Sequence, residues 1–361
     1  MNKTLSKALL TLVFSLTALS AKAEYTFSWL DGLVGYNYTN VNSINNSGQI
    51  VGASINLSEN TYRATIWNNG VATDINPQGI GSYSIANSIN NSGQVVGDSF
   101  ADGRYSQGTI WNNGVATYLN IDTSKSINNL GQVVGVSGNH AAVWNNGVAT
   151  TLEMPSDFTS SSATSINDLG QIVGVSMTGF SHTRATVWNN GVATTLEMPS
   201  DFTSSSAKSI NNLGQIVGYS MTDTRNTRAT IWNNGVATTL ESMGIGNSVA
   251  NSINNLGQIV GAGTSEAGGP SATLWDNGVA TDLNYFRSYR DWSDGWILIE
   301  AWDINDEGSI IGFGYNMESN TARSFLLQSV RPVPEADTSA MLLVGLGMIG
   351  FMARRRKNTQ A

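Results

Sequence analysis

Apolar residues along this chain fall into short runs that alternate with polar positions, each run closed by Asn, Gly or Ser. One phrase, Ser-Ile-Asn-x-x-Gly-Gln-(Ile/Val)-Val-Gly, returns in seven copies, the last with Asp303, Ser309 and Ile311 in place of its Ser, Gln and Val, centred on Ile44, Ile89, Ile127, Ile166, Ile210, Ile253 and Ile304. The separations are 45, 38, 39, 44, 43 and 51 residues, a period that belongs to repeat architectures. In the first copy, Ser43-Ile44-Asn45 predicts a short strand, and Asn46-Ser47-Gly48 a turn in which Gly is free to take positive φ. The β-branched Gln49-Ile50-Val51-Gly52 predicts the returning strand. After a variable polar stretch, Ala64-Thr65-Ile66-Trp67 and Val71-Ala72-Thr73-Asp74-Ile75 flank Asn68-Asn69-Gly70. Asn-Gly between two such runs is a strong hairpin signal. Each unit therefore holds two hairpins, or four short strands.

Four strands per repeat fit one blade of a β-propeller, with an open solenoid as the rival. The phase of the repeat separates them. Residues 26–44 align without a gap on 71–89, so the chain starts with a fourth strand that has no first three. The seventh copy stops after Arg323-Ser324-Phe325-Leu326-Leu327, with no Asn-Gly turn and no fourth strand. A closed ring would pair the two and remove the exposed edges. The expectation is an all-β, seven-bladed propeller of four-stranded blades over residues 24–328, with residues 25–31 completing the last blade.

Composition narrows the function classes. Only 12% of the 361 residues are charged, and there is no cysteine, which excludes disulfides, thiol nucleophiles and Cys-based zinc sites. The two chain ends read as addresses. Lys3 and Lys7, the apolar run 8–19 and Ala21-Lys22-Ala23 predict a secretory signal peptide over 1–23. A Pro-containing linker (329–337), an apolar Gly-bearing helix starting at Thr338 and the cluster Arg354-Arg355-Arg356-Lys357 predict a tail over 338–357 that enters the inner membrane with its basic end cytoplasmic. The whole chain carries a formal charge of −8. Removing both ends takes away seven basic residues and Asp337, leaving 11 basic against 25 acidic, or −14. Nucleic acid, which needs a basic footprint, is excluded as a partner.

Two resemblances add to this. Residues 333–357, with Val333-Pro334-Glu335, a short spacer, the Gly-spaced apolar helix and Arg354-Arg355-Arg356, resemble the PEP-CTERM sorting signal of Gram-negative bacteria; Ala336 stands where the name-giving motif has a second Pro. The resemblance implies recognition by an exosortase through Pro334, Glu335 and the arginines. Transient anchoring in the inner membrane, removal of the tail and delivery to the cell surface or an exopolysaccharide matrix would follow. A permanent anchor is the alternative. The repeat phrase resembles HAF-type extracellular repeats, whose His position here reads Arg63, Gln107, His140, Arg184, Arg228, Ser271 and Arg323. Such repeats imply an exported protein without implying an activity.

Candidate chemistry is sparse. Trp67, Trp111, Trp144, Trp188, Trp232 and Trp275 recur at one strand position, which favours blade-to-blade packing over a sugar-stacking array. His140 and His182 are isolated, and the repeated arginines suit local pairing better than an anion-binding ring. Asp303-Ile304-Asn305-Asp306-Glu307-Gly308 half-matches a calcium loop, but Gly314 stands at the twelfth position, so a decorated turn is expected. No catalytic set, metal or cofactor is indicated, and the favoured function is a non-catalytic adhesion, scaffolding or binding module. The longest interval breaks the pattern with Tyr285, Arg287, Tyr289, Arg290, Trp292 and Trp296, a mixture suited to a sugar or partner site or to packing over the ring's seam. A glycan-binding propeller using 285–296 is the alternative function, with a propeller hydrolase or lyase behind it.

Overall fold

A computed structural model describes residues 24–76, 83–100, 106–179, 182–287 and 289–330. The signal-peptide and tail expectations and linker residues 331–337 lie outside the described residues, as do the side chains of Tyr289 and Trp292, whereas residues 329 and 330 continue the last strand. Residues 25–329 fold as seven four-stranded antiparallel sheets. Six blades run in simple sequence order, from Tyr38–Ile44 through Val71–Asp74 in blade 1 to Val249–Ile253 through Val279–Asp282 in blade 6. Blade 7 is different. Its inner three strands, Trp296–Ile304, Ile310–Asn316 and Thr321–Val330, take their outer neighbour from the other end of the chain, Glu24–Leu30. The ring is closed by strand exchange, as the phase of the repeat predicts.

Each element of the repeated phrase has a physical cause. The Asn-Gly hairpins are type I′ turns: Asn69 and Gly70 have φ of 49° and 79°, and the other five pairs match them. Every innermost strand carries a bulge, between Val41 and Ser43 in blade 1 and at the equivalent place in the other six. There the backbone comes so close to the second strand that only glycine fits. A Cβ on Gly52 would lie 1.9 Å from the carbonyl oxygen of Asn40, and the equivalent distances run up to 2.2 Å at Gly312.

The core is distributed over seven apolar clusters, each of which joins neighbouring blades. In one of them Val173, Ala185 and Val187 of blade 4 meet Ala207, Ile210, Ile216 and Trp232 of blade 5. Trp67, Trp188, Trp232 and Trp275 are buried in this way, and each indole donates a hydrogen bond to a backbone carbonyl, at 2.7 Å from Trp67 to Asp31. Packing therefore accounts for the tryptophan array. At the seam Leu30 joins Val41, Ile44, Ile50 and Trp67 of blade 1 and Ile311 of blade 7. Tyr25, Phe27 and Trp29 of the same strand pack on the blade 7 core, and burial together with nearby Asp276 pushes the Tyr25 phenol up to about 12.

Candidate functional site

Strand direction gives the ring two unlike faces. In every complete blade the first and third turns lie at one end, where Ile44 pairs with Ile50, Ile50 with Trp67, and Asn68 with Val71. This end is the Asn face. The second turn and the blade-to-blade connections lie at the opposite end, the loop face.

The asparagine of the phrase organises the Asn face. Asn45 Oδ1 accepts from the backbone N–H groups of Ser47 and Gln49, which fixes the turn. Its Nδ2 donates to Gln49 Oε1 at 2.8 Å and to the carbonyl of Asn90 in the next blade at 3.1 Å. The same inter-blade bond runs through Asn90, Asn128, Asn167, Asn211, Asn254 and Asn305 and returns to Asn45, a circle of seven bonds. The following residue makes a second circle. The backbone N–H of Asn46 donates to Asn91 Oδ1 at 2.9 Å, and the relay passes Asn129, Asp168, Asn212, Asn255 and Asp306 back to Asn46. The serines of the phrase lie beneath, and the seventh copy places Asp303 there. Asp303 Oδ2 accepts from the Ile44 N–H at 2.9 Å across the seam, where Ser88 and its equivalents accept at 3.4 Å.

Of the aspartates of the half-matched calcium loop, Asp306 belongs to the second circle and Asp303 to the layer beneath it. Asp306 Oδ2 accepts from the side-chain amides of Asn46 and Asn255 at 2.9 and 3.0 Å. Asp303 faces Ile44 and Ser252, and burial raises its pKa against the opposing effect of its hydrogen bonds. Asp168 is held the other way: burial works against its charge, but the Asn129 backbone and side-chain amides and the Asn212 amide bring its pKa below the usual carboxylate value. The segment forms a turn whose aspartates accept hydrogen bonds from the neighbouring blades. Among the described residues no group of three or more His, Asp or Glu side chains is placed to hold a metal ion.

The irregular segment lies on the loop face. Leu283–Phe286 forms a 3₁₀ turn capped by Asp282, and Tyr289–Ser293 a single helical turn. Asn284 pins the segment to blade 7 by exchanging hydrogen bonds with the backbone of Leu298 at 2.8 and 2.9 Å. Of the expected site residues, Trp296 packs against Trp29 of the closing strand, the rings tilted by 50° with centroids 4.6 Å apart. Arg323 lies over both rings, 5.3 and 5.8 Å from their centroids, and pairs with Asp31 at 2.9 Å. Trp29 Nε1 also donates to Asp291 Oδ1 at 2.9 Å. Arg287 is half-buried and donates to Asn284 O, whereas Arg290 is exposed and 3.9 Å from Asp294. Tyr285 is 78% exposed.

Trp296 therefore seals the ring, while Tyr285 and Arg290 are exposed on the rim, Arg290 beside Asp294. That Trp29, Asp31 and Arg323 meet around Trp296 follows only from ring closure; Asp31 and Arg323 are 292 positions apart. The remaining repeated arginines bond locally, Arg63 with Asp74 and Arg184 with the Thr203 carbonyl.

Comparison with known proteins bears on the tail and the fold. Residues 332–357 match the PEP-CTERM protein-sorting motif, which spans Pro334, Glu335, Arg354, Arg355 and Arg356. By sequence, none of the curated proteins matches the chain. Among solved structures the ring is similar to the β-propeller domain of the Trilobed protease from Pyrococcus furiosus, with 13% identity, a TM-score of 0.53, and 83% of this chain and 99% of that one covered. That domain is described as having an open velcro topology, whereas the seam here is closed by Glu24–Leu30. A puromycin-hydrolyzing peptidase from Mycobacterium tuberculosis is similar at 9% identity and a TM-score of 0.51, over 87% of this chain and 57% of that one. These likenesses show the propeller fold alone. The HAF-type resemblance rests on its sequence phrase, and what is shown of the repeats is that they form blades. Among the described residues no helix is long and apolar enough to cross a membrane. The sorting motif marks an exported protein that an exosortase processes at the membrane.

Proposed function

We propose that this protein is a non-catalytic binding or scaffolding module displayed on the cell surface or in the exopolysaccharide matrix after sorting. The observation that carries this reading is the match of residues 332–357 to a sorting motif, joined to a ring whose repeated polar side chains hydrogen-bond one another. The Asn, Gln and Ser of the phrase hold the blades together, which leaves the variable loop-face connections to meet a partner. The HAF-like phrase agrees with export.

A second reading, a glycan-binding propeller, is favoured by Tyr285, which is exposed on the loop-face rim in the same segment as exposed Arg290. Aromatic rings and arginines in such positions suit sugar recognition. Both readings are tested by offering the purified ring (residues 24–330) to the producer's own polysaccharide. Glycan recognition predicts retention that falls about tenfold in Tyr285→Ala, with the melting temperature unchanged because that side chain is exposed. Retention untouched by Tyr285→Ala leaves the general scaffold. Release of shortened polysaccharide by the ring would overturn the non-catalytic reading.

A further inference from the structure

The Asn face carries a feature that sorting alone does not explain. In the turn between the first two strands, blades 3 to 6 place Leu130, Leu169, Leu213 and Leu256 where blades 1 and 2 have Ser47 and Ser92 and blade 7 has Glu307. These four leucines are 66–71% exposed and occupy consecutive blades, so they form one arc around the channel mouth. Outside them Val71, Val115, Val148, Val192, Val236 and Val279 follow the Asn-Gly turns, each 57–67% exposed. None of these turns carries a Lys or Arg. Exposed apolar residues on the loop face, such as Val34, Leu57, Ile245 and Met317, sit singly in unlike loops. Repetition of large exposed apolar side chains at one register marks an interaction surface.

The path of the chain says what covers it. The last strand of blade 7 runs toward the Asn face, because Ile304 pairs with Ile310 and Ile310 with Leu327 there, so the chain leaves the ring at Ser329 on that rim. The sorting motif begins at residue 332, and the apolar part of the tail at Thr338. Eight intervening residues reach roughly 30 Å at full extension, which keeps this face near any bilayer that holds the tail. We propose that, while the tail is anchored, the leucine arc of the Asn face docks on the lipid surface and turns the loop face, with residues 285–296, away from the membrane. The inference rests on the membrane-processing reading. Leucines enter the headgroup boundary, and asparagine side chains hydrogen-bond there without the cost of burying charge. Asp168, Asp276, Asp306 and Glu307 on the same face favour a zwitterionic over an anionic surface.

The absence of cysteine permits a direct test. The tail-bearing chain from residue 24 is labelled with an environment-sensitive fluorophore at Ser92→Cys on the Asn face or Glu59→Cys on the loop face. It is then inserted into phosphatidylcholine vesicles containing a quencher-bearing lipid. Docking predicts several-fold stronger quenching at Ser92→Cys than at Glu59→Cys. Changing the four leucines to Ser should remove the difference while flotation with the vesicles persists. Equal quenching at the two sites, or quenching that ignores the leucines, would overturn docking while leaving the anchor reading intact. Failure of the chain to float would sink the anchor reading and docking with it. If the tail-free ring dimerises in lipid-free buffer and shields the Ser92→Cys label, the arc belongs to a second copy and the lipid proposal fails.

Discussion

Starting the chain at residue 32, and so removing the closing strand, is expected to abolish the cooperative unfolding of the ring. The deleted residues bury Leu30 between blades 7 and 1 and pack Tyr25, Phe27 and Trp29 against the blade 7 core. At about 1.5–3 kcal/mol for each of these four side chains removed from water, the loss is on the order of 6–12 kcal/mol. That is comparable to the roughly 5–15 kcal/mol by which a whole domain is stable. The deletion also uncovers the edge of Thr321–Val330, an open template for pairing with another chain. Urea unfolding and sedimentation of residues 32–330 beside 24–330 should show a broad, non-cooperative transition and oligomers. A monomer unfolding cooperatively within about 1 kcal/mol of the longer chain would mean that the seam does not hold the ring.

Replacing Gly174 by Ala, at one of the seven close approaches of strand and bulge, should be far more damaging than a single methyl group elsewhere. Its Cβ would lie 2.0 Å from the Ser162 carbonyl oxygen and 3.0 Å from Ala163 Cα, both backbone atoms at the inner-strand bulge. No rotamer change relieves a backbone clash, so strand and bulge must separate. The expected cost is about 3 kcal/mol or more, at the upper end for overpacking. Gly269→Ala is the control. The nearest atom to its added Cβ is Ser265 Oγ at 3.9 Å, and the change should stay within about 0.5 kcal/mol. Paired thermal or urea denaturation checks both, and equal effects would refute the close-approach explanation of the repeated glycine.

Much of this architecture was legible in the residues. The period and the surplus strand at 25–31 were enough to choose a closed ring over an open stack, because strand count is a local property that closure must balance. The I′ turns were legible because Asn-Gly has few other uses between β runs. The reasons for the phrase itself were not legible. Asn45 and Asn90 are far apart in sequence, and their hydrogen bond exists only once blades stand side by side. The same limit hid the cluster of Trp29, Trp296 and Arg323, whose members meet only across the seam. The irregular interval was identifiable as unusual from its length and aromatics. Its division into a sealing part around Trp296 and a free rim at Tyr285 depended on which rings the closing strand reaches. The leucine arc was written in the sequence as a Leu-for-Ser alternation at the turn, yet it gains meaning only when four blades line it up on the face where the chain leaves the ring.

Export through the tail can be measured in one comparison. The full-length chain is expressed in an exosortase-bearing Gram-negative host and in the same host lacking the exosortase, and its intact mass is read in inner-membrane and outer fractions. Processing predicts a chain without residues 1–23, shortened before Thr338, and recovered outside the inner membrane in the first host. The tail should be intact and membrane-bound in the second, and in a Pro334→Ala, Glu335→Ala variant in either. A chain of the same full-tail mass in the same fraction of both hosts would contradict sorting.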